Sequence, residues 1–136
     1  MNSPVSETIV IPSNLSRAKA LEEQIMGAVD HYCYSENAVF SIKLALEEAL
    51  TNAIKHGNKN DETKRVTISY SIDNDQVEIY IADEGPGFNP SNIPDPTIDE
   101  NLEVPSGRGI MLMNAYMNEV NYNRRGNQVR MLKRNE

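Results

Sequence analysis

The 136-residue sequence has one cysteine, no tryptophan, two phenylalanines and no apolar run long enough to span a membrane. One cysteine excludes an intrachain disulfide, so the fold depends on its core, and the thiol of Cys33, between Tyr32 and Tyr34 at a helix end, reads as packing. The N-terminus, MNSPVSETIVIPSN, has neither a basic start nor a long apolar stretch, so nothing points to secretion. The expectation is a soluble, cytoplasmic protein of a reducing compartment with no membrane partner. Positive charge is also scarce: 13 Lys and Arg face 20 Asp and Glu, for a net charge of −7. Residues 1–123 hold 8 basic and 19 acidic side chains, whereas residues 124–136 hold 5 and 1. A body this acidic repels polyanions, which argues against nucleic acid as a partner. The basic tail (Arg124, Arg125, Arg130, Lys133, Arg134) alternates as one strand face would and reads as a solvated surface.

The length suits one domain over residues 1–136, with one site to find. Thr8 to Ile11 is a short β-prone run closed by Pro12, an edge or entry strand. Ala18, Leu21, Ile25, Ala28, Val29 and Tyr32 then recur at spacings of three and four, which predicts an amphipathic helix capped by Ser13, Asn14 or Ser16. Ser35 can cap a second helix running to about His56, where Gly57 supplies a left-handed stop. RVTISYSID and QVEIYIA alternate apolar and polar residues around Asp73-Asn74-Asp75, the pattern of a hairpin with one buried face. Ile110, Met113 and Met117 mark a third helix, and EVNYN and QVRMLK form a last hairpin. The order is α+β: a two-layer sandwich with helices on one face of a mixed, mainly antiparallel sheet.

Three stretches carry chemistry. In EEALTNAIKHGN (47–58), Glu48 and Asn52 lie one turn apart on a helix that otherwise faces a core. An amide oxygen suits Mg²⁺, and a carboxylate one turn away can take a proton from a hydroxyl near that ion; the plain alternative is a solvated polar edge with Lys55. In IADEGPGF (81–88), Asp83 ends a strand before Gly85 and Gly87. This is a tight turn, or a place where a flat ring approaches bare backbone while Asp83 accepts a hydrogen bond from an exocyclic amine. In SGRGIMLM (106–113), Gly107 and Gly109 open a helix whose first N–H groups can hold phosphate. Between the last two stretches, residues 88–106 contain four prolines and little periodicity, as a lid would. Residues 66–107 have no Lys or Arg and nine acidic residues. A triphosphate there needs Mg²⁺, a helix N-terminus and Arg108 or Lys55 to offset the charge.

In that order the three stretches resemble the N, G1 and G2 boxes of the GHKL (Bergerat-fold) ATPases. With IVIPSN, MNEVNY and GNQVRMLK, nearly the whole chain is similar to the small anti-sigma-factor serine/threonine kinases of the RsbW type. The resemblance implies ATP and Mg²⁺ as cofactors, with Asn52 as Mg²⁺ ligand and Glu48 as the base toward a substrate hydroxyl. It also implies Asp83 at the adenine amine, Gly85 and Gly87 shaping the base pocket, Gly107 and Gly109 at the phosphates, and a lid at 88–106. The implied partners are a sigma factor, a STAS-type anti-anti-sigma factor phosphorylated on Ser or Thr, and a second copy of the chain. Asn118 and Asn127 depart from the pattern, standing where such sequences often have Asp and Thr. Two other readings stay open: a nucleotide-gated sequestering module without catalysis, and the ATP-binding half of a split histidine kinase.

Overall fold

Alternating side chains decide the sheet. In β2 (Arg65–Ile72), Val66, Ile68, Tyr70 and Ile72 are buried, and in β3 (Gln76–Ala82), Val77, Ile79 and Ile81 are. Successive side chains point to opposite faces, so both strands turn the same apolar edge toward the core. Asp73 closes the hairpin by accepting from the N–H groups of Asp75 at 2.7 Å and Gln76 at 2.9 Å. The computed structural model describes residues 4–87 and 107–135; the expected lid, 88–106, lies outside them.

The remaining strands are β1 (Val5–Pro12), β4 (Glu119–Tyr122) and β5 (Gln128–Arg134), and the sheet order is β1-β2-β3-β5-β4. Every pairing among the described residues is antiparallel, so the expected mixed character is absent there. The first pairing explains why. Two helices carry the chain away and back, so that Arg65 returns opposite Pro12 and β2 runs down the strand that β1 ran up.

Those helices are α1 (Leu15–Val29) and α2 (Glu36–Thr51). Asn14 caps the first by accepting from Arg17 N–H at 3.1 Å, and Ser35 caps the second by accepting from Ala38 N–H at 3.1 Å. α1 buries Ala18, Leu21, Ile25 and Val29 along one stripe, whereas α2 packs against α1, α3 (Gly107–Tyr116), β3 and β5. Ile42 and Leu46 of α2 and Ile54 just beyond it are fully buried. Truncating Leu46 to Ala would cost about 2–5 kcal/mol. The element that carries Glu48 and Asn52 is therefore also the spine of the core.

The basic tail is more engaged than a solvated face. On the open side of the sheet Arg130 bridges Glu78 at 2.7 Å and Glu119 at 3.0 Å, and Arg134 reaches Glu119 at 3.4 Å. Lys133 points the other way and is buried, donating to the carbonyl of Tyr116 at 3.1 Å, where a cation suits the negative end of α3. Cys33 is exposed, which corrects the packing expectation for its thiol.

Candidate functional site

Helix α2 does not stop at Gly57 by a left-handed residue, as expected. From Asn52 to Gly57 it widens into a π-helical turn, closed by Asn58 N–H donating to Ala53 O at 2.8 Å, and the left-handed residues are Lys59 (φ 53°) and Asn60 (φ 59°). Single π turns recur at functional sites because they re-aim the residues after them. Gly57 has a different task here. A Cβ on Gly57 would lie 2.4 Å from the Asp83 carboxyl carbon, and one on Gly85 would lie 2.0 Å from the Gly57 carbonyl oxygen. The end of the helix and the loop after β3 thus interlock through missing side chains.

Asn58 fixes this junction. It is fully buried, its side-chain amide donates to Ser13 Oγ at 2.8 Å and Arg65 O at 3.0 Å, and its oxygen accepts from Glu84 N–H at 2.8 Å. Asp83 in turn accepts from Gly85 N–H at 2.8 Å. Partial burial raises the Asp83 pKa above the usual carboxylate value, against the lowering effects of that hydrogen bond and of Arg125. Gly87 has φ +79°, and a Cβ there would strike the Arg125 carbonyl, which draws the turn between β4 and β5 into the same assembly.

These elements wall a cleft of about 200 Å³. Its floor is apolar, with Ala49, Ala53, Ile81 and Val129, and Asp83 is the carboxylate among its lining residues. Tyr122 lines it too, its phenol held well above its ordinary pKa by burial and by the nearby Asp83 charge. Asn52 stands at the other end. Its buried amide nitrogen has no hydrogen-bond partner among the described residues. Glu48 and Asn52 both flank the start of α3: a Cβ on Gly109 would lie 2.5 Å from Glu48 Oε2 and 3.9 Å from Asn52 Nδ2. A carboxylate, a spare amide and a helix N-terminus, about 55 residues apart in sequence, meet at one point.

Glu48, Asn52, Asp83, Gly85, Gly87 and Gly109 are thus brought together. Lys55 is not: it is exposed and outside the cleft wall, where Lys59 stands instead. Gly107 begins α3, and the side chain of Arg108 lies outside the described residues. Lys59, Tyr122 and Asn127 line the cleft but belong to none of the three motifs, because only the sheet order β3-β5-β4 brings the last two beside Asp83. The side-chain oxygen of Asn52 is the atom that would suit a hard cation that takes most of its ligands from water and phosphate, whereas its unpartnered nitrogen is a donor. Among the described residues no cluster of His, Cys, Asp or Glu would hold a metal by itself.

Known proteins are similar to this chain in sequence and in fold. The chain is 32% identical over 104 residues to the serine-protein kinase RsbW of Bacillus licheniformis, covering 71% of this chain and 64% of that one. It is 29% identical over 118 residues to the RsbW of Bacillus subtilis strain 168, covering 81% and 72%. The chain thus spans about two thirds of the length of these relatives. Among solved structures, the RsbU and RsbW domains of a Mycobacterium tuberculosis protein superpose with a TM-score of 0.64 at 13% identity, over 99% of this chain and 32% of that one. The mycobacterial sensor histidine kinase MprB superposes with a TM-score of 0.51 at 16% identity, over 96% and 97%. At such identities the likeness concerns the fold. The sequence profile of the histidine kinase-like ATPase domain matches residues 11–133, nearly the whole chain and all the residues that wall the cleft, and the chain belongs to that family.

Proposed function

We propose that the protein binds Mg·ATP in this cleft and transfers the terminal phosphoryl group to a Ser or Thr of a partner protein. The observation that carries the reading is a cleft lined by both Asn52 and Asp83, with Glu48 beside Asn52 where the two flank Gly109. Asp83 accepts a hydrogen bond from the adenine amine, and the apolar floor takes the ring. Asn52 offers its amide oxygen to the cation. Bound Mg²⁺ neutralises phosphate charge that the acidic surroundings of residues 66–107 would otherwise repel. The N-terminal turn of α3, opening at Gly107, faces the phosphates.

Glu48 performs the proton transfer. As the hydroxyl oxygen bonds to the γ-phosphorus and the bridging P–O bond breaks, the hydroxyl proton passes to the Glu48 carboxylate, and ADP leaves with the bridging electron pair. A positioned base is worth about 10²–10⁴ in rate. A protein that merely sequestered a partner would need no carboxylate at that place, so Glu48 favours catalysis over a nucleotide-gated binder.

The likeness to RsbW supports a partner-switching role. The protein holds a sigma factor, works in the cytoplasm as a homodimer, and releases a STAS-type anti-anti-sigma factor by phosphorylating it. The test is titration of wild type and Glu48→Gln with ATP, with and without Mg²⁺, then incubation with radiolabelled ATP and a bacterial lysate. Mg²⁺-dependent binding by both, with an acid-stable labelled small protein for wild type alone, is expected. Binding without transfer by the wild type would leave the sequestering module standing, and label on a His-bearing protein would reveal half of a split histidine kinase.

A further inference from the structure

Among the described residues the one buried carboxylate lies outside the cleft. Glu22 of α1 is 3% exposed, and the chemistry of the cleft makes no use of it. Its Oε2 accepts from Lys19 Nζ at 3.2 Å, but its Oε1 is buried with no hydrogen-bond partner. From α2 the carboxyl of Glu47 comes within hydrogen-bonding reach of it. Two ionised carboxylates cannot bond to each other, since each only accepts. We propose that Glu22 and Glu47 share one proton, and that this carboxyl–carboxylate bond latches α1 onto the turn of α2 that bears Glu48. Neither group lines the cleft, so the latch stands or falls apart from nucleotide binding.

Charge balance calls for that proton. Lys19 Nζ stands 3.2 Å from Glu22 and 3.8 Å from Glu47, so a single ammonium serves both acids. With both ionised, the trio keeps one uncompensated negative charge beside the core, a costly arrangement. Among the described residues no second cation pairs with either acid. Glu23, the other charged group of α1 that acts on Lys19, adds negative charge. From β1, which also packs against α1, comes Glu7, already engaged by the Tyr70 hydroxyl and by Gln24. One proton brings the trio to neutrality.

Hydrogen bonding calls for it too. Protonated, Glu22 becomes a donor with Glu47 as the acceptor in reach, while Lys19 still donates to Oε2. Each polar atom of the buried side chain then has a use, and a bond from a carboxyl to a carboxylate is among the stronger kinds. The Glu22 side chain is 4% exposed and that of Glu47 44%, so the proton resides on Glu22 and the charge meets water on Glu47. Burial and the Glu47 contact accordingly lift the Glu22 pKa above 4.5, against the lowering pull of Lys19. The native chain thus holds a proton that the unfolded chain has released. The latch is complete at low pH, and its contribution to stability falls as pH rises from 4.5 through the folded value.

The experiment compares denaturant unfolding of wild type and Glu22→Gln between about pH 5 and about pH 8, beside carbon-13 NMR of wild type labelled at its glutamate carboxyls. Glutamine supplies the donor and the acceptor of the protonated acid and cannot ionise. At about pH 8 its unfolding constant should be about tenfold smaller than that of wild type, and the gap should close as pH falls. Asp83 is intact in both proteins and distant from the change, so its own titration cancels. The NMR should show two glutamates titrating together, one of them above the ordinary range. Stability of Glu22→Gln equal to or below that of wild type at about pH 8 overturns the latch. So does a wild-type spectrum in which every glutamate titrates singly in the ordinary range, a result that needs no variant to fold.

Discussion

The contact between α3 and Glu48, the proposed base, allows a test in which stability and chemistry separate. In Gly109→Ala the new methyl group would sit 2.5 Å from Glu48 Oε2, whereas ordinary contact begins at 3.4 Å, so one of them must withdraw by about 0.9 Å. Glu48 Oε2 ends a rotatable side chain at the rim of the core, and Glu48 is half-exposed, so the carboxylate is what moves. The fold loses little, and the midpoint of denaturant unfolding should stay within about 1 kcal/mol of wild type. The chemistry loses more, because a displacement near 1 Å in a reacting constellation costs about 10²-fold in rate. The adenine end has no part in the contact, so nucleotide affinity should fall far less than turnover. The assay is single-turnover transfer to the purified phosphoacceptor beside equilibrium ATP titration. If Gly109→Ala transferred phosphate within about twofold of wild type, the position of Glu48 against α3 would be irrelevant to catalysis and the assignment of the base would lose its geometric support.

Gly85→Ala should behave in the opposite way, because the atom its methyl group would meet at 2.0 Å is the backbone carbonyl of Gly57, which cannot swing aside. A loss of about 1–3 kcal/mol or more on unfolding is expected; an unaltered stability would mean that the interlock is slack. Asn58→Ala removes the fully buried side chain that joins Ser13, Arg65 O and Glu84 N–H and should cost about 1–3 kcal/mol. Asn52→Ala should abolish the Mg²⁺ dependence of ATP binding, measured by titration with and without the ion. Asp83 predicts two pH effects of opposite sign. Burial lifts its folded-state pKa above 3.8, so the native chain holds a proton that the unfolded chain has released, and its contribution to stability falls as pH rises through that interval. ATP affinity should rise over the same interval as the carboxylate ionises, and Asp83→Asn should flatten both profiles.

The elements that follow a local rule were legible from the sequence. The alternation of Val66, Ile68, Tyr70 and Ile72, the Asn14 and Ser35 caps and the Asp73 turn are all decided within a few residues, and each appears as expected. Glu48 and Asn52 were legible for the same reason, since a polar pair at helical spacing conflicts with its apolar surroundings. Gly57 was misread because its glycine answers to Asp83, 26 positions away, and no local signal separates that from a helix stop. Tyr122 and Asn127 were missed as cleft residues because their place depends on β5 lying between β3 and β4. Lys55 was chosen by proximity to Asn52, yet the chain turns it to solvent and presents Lys59 four residues on.

The glycine interlock has a consequence for traffic through the cleft. Gly57, Gly85 and Gly87 bring three backbones into contact distance, and backbone against backbone has no rotamer by which to yield. The Asp83 end of the cleft is thus a fixed wall, whereas at Gly109 the first turn of α3 meets the end of the Glu48 side chain, which can rotate. With the nucleotide bound as proposed, its entry and exit are governed from the phosphate side. On that reading, a partner that braced or released α3 would set the residence time of ADP without touching the base, and the product's departure would time the proposed switch.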